Sequence, residues 1–156
     1  EEGVRLILPT RKVTPREEWS GLHTDRWNVM DAPSDNAREH VFLHELASGA
    51  NGDTFAAIVN DRLGIGVRIS FNKKNMPYFM EWKSTASGDY VIGLEPSNSS
   101  VYGRKYHESE NTLKTLPAYG EETIKWSFTI LRDEKEIVET ENACAALLKS
   151  PEEETK

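Results

Sequence analysis

The most promising chemical feature of the sequence is a carboxylate beside a gap, within residues 93–98. Gly93 and Glu95 share one face of a β-strand, so the absent glycine side chain leaves space next to the carboxylate. Pro96 cannot donate to a strand ladder, and small hydrogen-bonding residues follow at 97–100. A carboxylate at a strand end beside small polar groups is suited to hold a sugar. The alternative is a solvent-facing glutamate that precedes a turn.

Aromatic and charged side chains alternate in a second segment, residues 77–83. As a strand, this segment would place Glu81 and Lys83 on one face and Trp82 on the other. Aromatic rings stack on the apolar faces of pyranose rings, and charged groups bind hydroxyl groups, so the segment is a candidate sugar contact. The alternative, which these residues favour when taken alone, is an ion pair next to a core tryptophan.

The histidines do not form a metal motif. In residues 39–44, a strand would turn Glu39 to one face and His40 and His44 to the other, whereas a metal needs three or four convergent ligands. The only cysteine, Cys144, has no histidine nearby and is not expected to be a nucleophile. Phosphate-binding glycine motifs and the serine nucleophile elbow are absent from the sequence. We therefore predict no metal and no cofactor.

The composition of the chain disfavours some classes of binding partner and favours one cellular location. The net charge of −7 disfavours binding to phosphate backbones, so no nucleic acid partner is predicted. No apolar run reaches the length of a membrane span, so no membrane partner is predicted either. One cysteine allows no intrachain disulfide, which fits a reducing compartment, and the expected location is the cytoplasm.

Strand periodicity dominates the elements that would position these residues. Apolar residues alternate with polar ones at 65–71 and 124–130, and further strands are expected at 41–47, 54–59, 78–82 and 89–95. The Asn51-Gly52 step predicts a hairpin between the strands on either side of it, and residues 84–88 predict a second turn. Six to eight strands joined by turns predict an all-β fold, an antiparallel β-sandwich or part of one.

Helix signals are few. Thr14 and Pro15 resemble an N-cap followed by an N1 proline, which predicts one or two helical turns over residues 14–20. A short helix is expected at 141–149. We therefore expect one sandwich domain over residues 1–149 and a disordered tail over 150–156.

Four segments together resemble a known family. They are residues 76–83, 88–98, 103–104 and 116–121, and the resemblance extends over about residues 1–132. In order and spacing they are similar to the C-terminal half of the aldose 1-epimerase-like proteins. More narrowly, they resemble the DUF4432 branch of the galactose mutarotase-like superfamily.

The resemblance implies a β-supersandwich with a concave sugar-binding face, and interconversion of the α and β anomers of an aldose. In such mutarotases a glutamate takes the proton from the C1 hydroxyl and a histidine protonates the ring oxygen, so that the ring opens and recloses. Glu95 matches the position of that general base, which makes it the expected catalytic residue. The substrate-binding residues expected beside it are Glu39, Glu81, Lys83, Asn98, Trp82 and His44.

The chain departs from the family at two functional positions. The family's acid histidine and sugar-binding arginine precede the segments matched here, so we expect the chain to be the C-terminal half of a longer protein and inactive alone. The alternative to an isomerase is a non-catalytic module that binds a sugar or sugar phosphate. The expected partners are a monosaccharide or derivative, and either a second copy of the chain or the N-terminal half.

Overall fold

Two four-stranded antiparallel sheets pack face to face in the computed structural model, which describes residues 2–150. The strand order of the first sheet is β1 (Arg5–Ile7), β4 (Asp53–Asn60), β5 (Ile65–Asn72) and β8 (Ser127–Leu131). The order of the second is β2 (Thr10–Pro15), β3 (His40–Leu46), β6 (Tyr78–Ala86) and β7 (Asp89–Ser97). The predicted antiparallel β-sandwich is confirmed.

The main core lies between the two sheets, because alternate residues of each strand point into the interface. Its buried members are Leu6, Leu8, Leu46, Ala56, Phe71, Met76 and Phe79. Ile92 and Leu94 of β7 pack against this cluster from the second sheet. The inward face of β7 is thereby assigned, and the intervening residues of that strand point outward.

Three α-helices complete the fold, α1 (Glu18–Gly21), α2 (Gly103–Ser109) and α3 (Glu134–Lys149), with a 3₁₀ turn at Thr24–Arg26. Buried residues of α3, including Ile137 and Cys144, cover the other face of the first sheet. This helix begins at Glu134 rather than at the predicted residue 141, because Asp133 caps it. The predicted tail begins at Ser150, which ends α3, and its residues 151–156 lie outside the described residues.

One predicted helix begins later than expected, and one predicted hairpin is wrong. The helical turns expected over residues 14–20 begin only at Glu18, as α1, because Thr14 and Pro15 end β2, where Pro15 pairs with Phe42 on an edge strand that tolerates a missing donor. The hairpin expected around Asn51-Gly52 is a crossing between sheets, since β3 and β4 belong to different sheets. Local turn chemistry specifies a reversal of the chain, but it does not specify which strand the returning segment pairs with.

β8 departs from its predicted burial. Trp126, Phe128 and Ile130 alternate as a half-buried strand should, yet they are 47%, 63% and 55% exposed. The strand itself begins at Ser127, and it forms an edge of the first sheet, paired only with β5 among the described strands. An apolar strip on the inward side of this edge is therefore left open to solvent.

Candidate functional site

The second sheet has a covered face and an open face, and strand register sorts the candidate residues between them. Residues directly opposite in an antiparallel pair share a face. Met80 lies opposite Glu95, and Trp82 lies opposite Gly93. Since Leu94 points into the core, these four residues face away from it. We call this the outer face and the covered one the inner face.

Glu95 is exposed on the outer face, and its carboxylate turns back over Gly93. A Cβ atom built on Gly93 would lie 2.7 Å from Glu95 Oε1, too close for a nonbonded contact. The glycine is thus what allows the carboxylate to occupy this place, as the two-residue spacing predicts. Pro96 does not end the pairing, which continues to Ser97, because β7 is an edge strand.

Two open clefts border the outer face, and Glu95 lines neither of them. One has a volume of about 600 Å³, and its lining includes Glu39, Trp82 and Val91. The other has a volume of about 440 Å³, and its lining includes Tyr78 and Met80. The strand partners of Glu95 and Gly93 are Met80 and Trp82, so each cleft is lined by a residue opposite this pair.

The acidic residue Glu39 shares the outer face but not the position of Glu95. Leu43, Met80 and Glu95 stand at one level across β3, β6 and β7, and Glu39 precedes Leu43 by four positions. That offset is about 13 Å along the strands and about 10 Å across them. The two carboxylates therefore lie at opposite ends of the outer face. Asn98 is exposed and comes directly after the end of β7.

The inner face holds a buried polar network around Glu81. His44 Nε2 lies 3.1 Å from Glu81 Oε2, and His44 Nδ1 lies 3.0 Å from Thr10 Oγ1. The side chains of His44 and Glu81 are both fully buried. Because the carboxylate accepts, Nε2 carries the proton in this pair.

Lys83 completes this network. Its ammonium donates to the carbonyl oxygens of Arg26, Trp27 and Val29 at 2.8, 2.9 and 3.1 Å. Three acceptors use all three N–H groups, so Glu81 Oε1, at 3.5 Å from Nζ, is held by charge rather than by a hydrogen bond. Burial lowers the pKa of Lys83, and the Glu81 carboxylate opposes that shift.

The predicted site residues thus separate into two groups. Glu95, Trp82 and Glu39 lie on the outer face, and Asn98 lies in the loop beyond β7. Glu81, Lys83 and His44 lie on the inner face, where they bond to each other and to backbone. The ion pair that the residues alone favoured for Glu81 and Lys83 is what the structure contains.

The other histidines are also engaged. His40 stacks on Trp19 and Phe42 with interplanar angles of 17° and 8°. Burial, followed by the charges of His23 and Lys83, lowers the pKa of His40 to about 4. The ring is therefore neutral near pH 7.

His107 is a residue that sequence reasoning overlooked. It is 2% exposed, and its ring lies edge-on to Tyr78 at a centroid distance of 5.4 Å. Nε2 lies 2.9 Å from Ser100 Oγ, and Nδ1 lies 2.7 Å from Thr112 Oγ1. These partners are five and seven residues away in the chain, so no local sequence pattern indicates the contacts.

The described residues contain neither a metal-binding cluster nor a membrane-spanning helix. Within residues 2–150, no group of three or more His, Cys, Asp or Glu side chains is arranged to hold a metal ion. Over the same range, no helix has the length and apolar character needed to cross a membrane.

Comparison with known proteins identifies a family that matches the chain and a solved structure with a similar fold. A family model for a domain of unknown function, DUF4432, matches residues 1–130. The crystal structure of a "putative aldose 1-epimerase" from Klebsiella pneumoniae subsp. pneumoniae MGH 78578 matches with a TM-score of 0.90 and 25% sequence identity. None of the curated proteins matches the chain.

The structural match is unequal in length. It covers 97% of this chain but 40% of the Klebsiella chain, so this chain spans less than half of that protein. Together with the family match, it confirms the aldose 1-epimerase-like fold that the sequence resemblance implies.

Proposed function

The chain belongs to the DUF4432 family, and we propose that the full-length protein is a mutarotase that interconverts the anomers of an aldose with Glu95 as general base. The observation that carries the proposal is the placement of Glu95. It is an exposed carboxylate over a glycine, on the open face of a sheet whose fold is shared with the Klebsiella protein.

The chemistry requires a base and an acid. Glu95 would accept the proton of the C1 hydroxyl, while an acid protonates the ring oxygen as the bond from C1 to that oxygen breaks. The open-chain aldehyde rotates about its C1–C2 bond, and the reverse transfers close the ring to the other anomer. A carboxylate can act in this way when it lies within hydrogen-bond reach of the hydroxyl.

The surroundings of Glu95 support a sugar ligand. Trp82 lies opposite Gly93 on the same face, so an aromatic ring stands beside the space that the carboxylate occupies. Aromatic rings offer a flat apolar surface with a polar handle, which suits the mixed surface of a pyranose. The expected ligand is a monosaccharide or a monosaccharide derivative.

A second candidate is a module that binds a sugar without turnover. It is favoured by the positions of the histidines in residues 2–150, since His40 and His44 belong to the inner face and His23 packs against His40. His107 has both ring nitrogens within hydrogen-bond distance of hydroxyl groups. In the part of the chain that the structure describes, no histidine is thus available to Glu95 as an acid.

We also propose a location and a domain extent for the chain. We assign residues 1–149 to one portion of the sandwich and the protein to the cytoplasm. The single cysteine supports a reducing compartment, because it allows no intrachain disulfide and Cys144 is free and buried.

The test is the rate of anomeric equilibration, followed by NMR for several aldoses with the full-length protein. We expect Glu95→Gln to lower kcat by about 100-fold or more, because the amide cannot accept the proton. Glu139→Gln, on the exposed side of α3, is the matched control and should leave the rate unchanged. If the wild type binds sugar but equilibrates the anomers no faster than buffer does, the mutarotase is rejected and the binding module remains. If the protein neither accelerates equilibration nor binds any of the sugars, both candidates are rejected.

A further inference from the structure

His107 connects two places in the chain after β7, Ser100 before α2 and Thr112 after it. We call these contacts of the His107 ring the clamp. On one side, Nε2 lies 3.1 Å from the Ser100 backbone nitrogen and 2.9 Å from Ser100 Oγ. On the other, Nδ1 lies 2.7 Å from Thr112 Oγ1. The backbone nitrogens of Thr112 and Leu113 donate to the carbonyl oxygen of His107 at 2.9 and 3.1 Å.

These contacts determine which ring nitrogen carries the proton. The Ser100 backbone N–H can only donate, so Nε2 must offer its lone pair and cannot be protonated. The proton therefore sits on Nδ1 and is donated to Thr112 Oγ1. The Ser100 hydroxyl donates to the same Nε2 and accepts from the Tyr102 backbone nitrogen at 3.3 Å. One tautomer of the ring is compatible with all of these contacts, with the single lone pair of Nε2 shared between the Ser100 N–H and the Ser100 hydroxyl.

The clamp stands on the same side of the sheet as Glu95. The ring packs edge-on against Tyr78, and Tyr78 lies opposite Ser97, one outward position along β7 from Glu95. Between Ser97 and Ser100 the chain is free of strand pairing, and this stretch carries Asn98. Glu95 itself is held by its pairing with β6, whereas the loop is held at Ser100 by His107.

We propose that His107 is a positioning residue of the sugar site, which fixes the loop of residues 97–100 so that Asn98 is presented to the sugar beside Glu95. This inference rests on the proposed function for the identity of the ligand. It separates two roles along one segment: Glu95 acts on the reacting hydroxyl, and the clamped loop contributes to binding.

The first measurement is independent of activity. In the full-length protein, 15N NMR should show His107 neutral with the proton on Nδ1, and hydrogen exchange should show a protected Ser100 amide. A proton on Nε2, or a Ser100 amide that exchanges freely, would overturn the clamp whatever the enzyme does.

The second measurement is a split between KM and kcat. His107→Phe keeps an aromatic ring against Tyr78 but removes all three hydrogen bonds of the imidazole ring, so KM should rise about tenfold while kcat stays within about twofold. His107→Gln restores an acceptor and should recover part of the loss. Ser100→Ala is a milder variant and should move KM in the same direction. Its matched control is Ser109→Ala, since that hydroxyl donates within α2 to the Tyr106 carbonyl.

The outcomes distinguish the two proposals. Unchanged KM in folded His107→Phe and Ser100→Ala proteins, with Glu95→Gln still inactive, would reject the positioning role and leave the mutarotase. A loss confined to kcat would also reject it, because the ring would then act on the chemistry. If the wild type binds sugar without turnover, Kd replaces KM in the same comparison. If it neither binds nor reacts with any sugar, the proposed function fails and the positioning role fails with it, while the NMR result still shows whether the clamp exists.

Discussion

At the scale of single residues, Gly93 and Glu95 form a unit in which the absent side chain of one defines the place of the other. The Glu95 carboxylate lies 2.7 Å from the position that a Cβ atom at residue 93 would take, which is too close for such an atom to be present without displacing it. Such a contact involves the far end of a flexible side chain, so a larger residue would displace the carboxylate rather than the strand. The pair is therefore suited to test function without a large effect on folding.

We expect Gly93→Ala to lower kcat/KM for anomeric equilibration by about tenfold, because the new methyl group moves the Glu95 carboxylate away from its position. The free energy of unfolding should change by about 1 kcal/mol or less. Gly49→Ala is the control, since a Cβ there meets only the Asp53 carbonyl oxygen at 3.9 Å. Equal activity of the two alanine variants would contradict a role for the gap.

Also at the residue scale, His40 should make stability depend on pH. Its pKa is about 4 in the folded protein and about 6.5 in the unfolded chain, so the unfolded chain binds more protons between these values. Its contribution is fully present above about pH 6.5 and is lost as the pH falls to about 4. We expect a loss of about 2 kcal/mol, discounted for solvent near the ring.

Urea unfolding of the wild type and of His40→Phe at pH 7 and pH 4.5 would measure this contribution. Phenylalanine keeps the stack with Trp19 and Phe42 but does not titrate. The variant should therefore lose less stability than the wild type on acidification. Identical losses would show that His40 is not the group responsible.

At the scale of elements, caps and edges decide where segments begin and end. Pro15 and Pro96 both lie in edge strands, where a missing backbone donor leaves no ladder bond unmade. The buried Lys83 joins β6 to the segment of residues 26–29, because its ammonium takes three carbonyl oxygens there. A lysine that the sequence suggested for a sugar contact thus attaches one element to another.

The start of α3 offers a prediction at this scale. Asp133 Oδ1 accepts from the Glu136 backbone nitrogen at 2.9 Å, and Glu136 Oε2 accepts from the Arg132 backbone nitrogen at 2.7 Å. We expect Asp133→Ala to lower the free energy of unfolding by about 1 kcal/mol, and Asp133→Asn by much less, because asparagine also caps helices. Urea unfolding would measure both changes. An alanine variant as stable as the asparagine variant would show that the cap is unimportant.

At the scale of the whole molecule, the main feature is an apolar strip, Trp126, Phe128 and Ile130, whose side chains the described residues leave exposed to solvent. It lies along the β8 edge, and exposed apolar sheet edges favour association with other chains. The chain spans 40% of the Klebsiella protein it matches. Behaviour of the 156-residue chain in isolation is therefore predicted to differ from that of a closed sandwich.

We expect the isolated chain to self-associate in sedimentation experiments, and Phe128→Lys to shift it toward monomer, because the charge opposes contact along the strip. Leu22→Lys is the control, since Leu22 is also exposed but lies in the segment after α1. A wild-type chain that sediments as a monomer, or equal effects of the two lysines, would show that the strip does not drive association.

Much of the fold follows from the sequence because strand alternation is a local property. Residues 65–71 and 89–95 alternate clearly, and both are strands in the structure. The relation between Gly93 and Glu95 is equally local, since two residues on one strand always share a face. These features can be predicted without knowing which strands pack against each other. The family resemblance adds the catalytic role that is proposed for Glu95.

Only the tertiary structure decided which face is covered. Alternation separates Trp82 from Glu81 and Lys83, but only long-range packing buries the two charged residues, against His44 and the segment of residues 26–29, and leaves Glu95 on the open side. Long-range pairing likewise put β3 and β4 in different sheets, and it brought Ser100 and Thr112 to His107. The physical reason is that period and turn chemistry act between neighbours in the chain, whereas burial depends on partners distant in sequence.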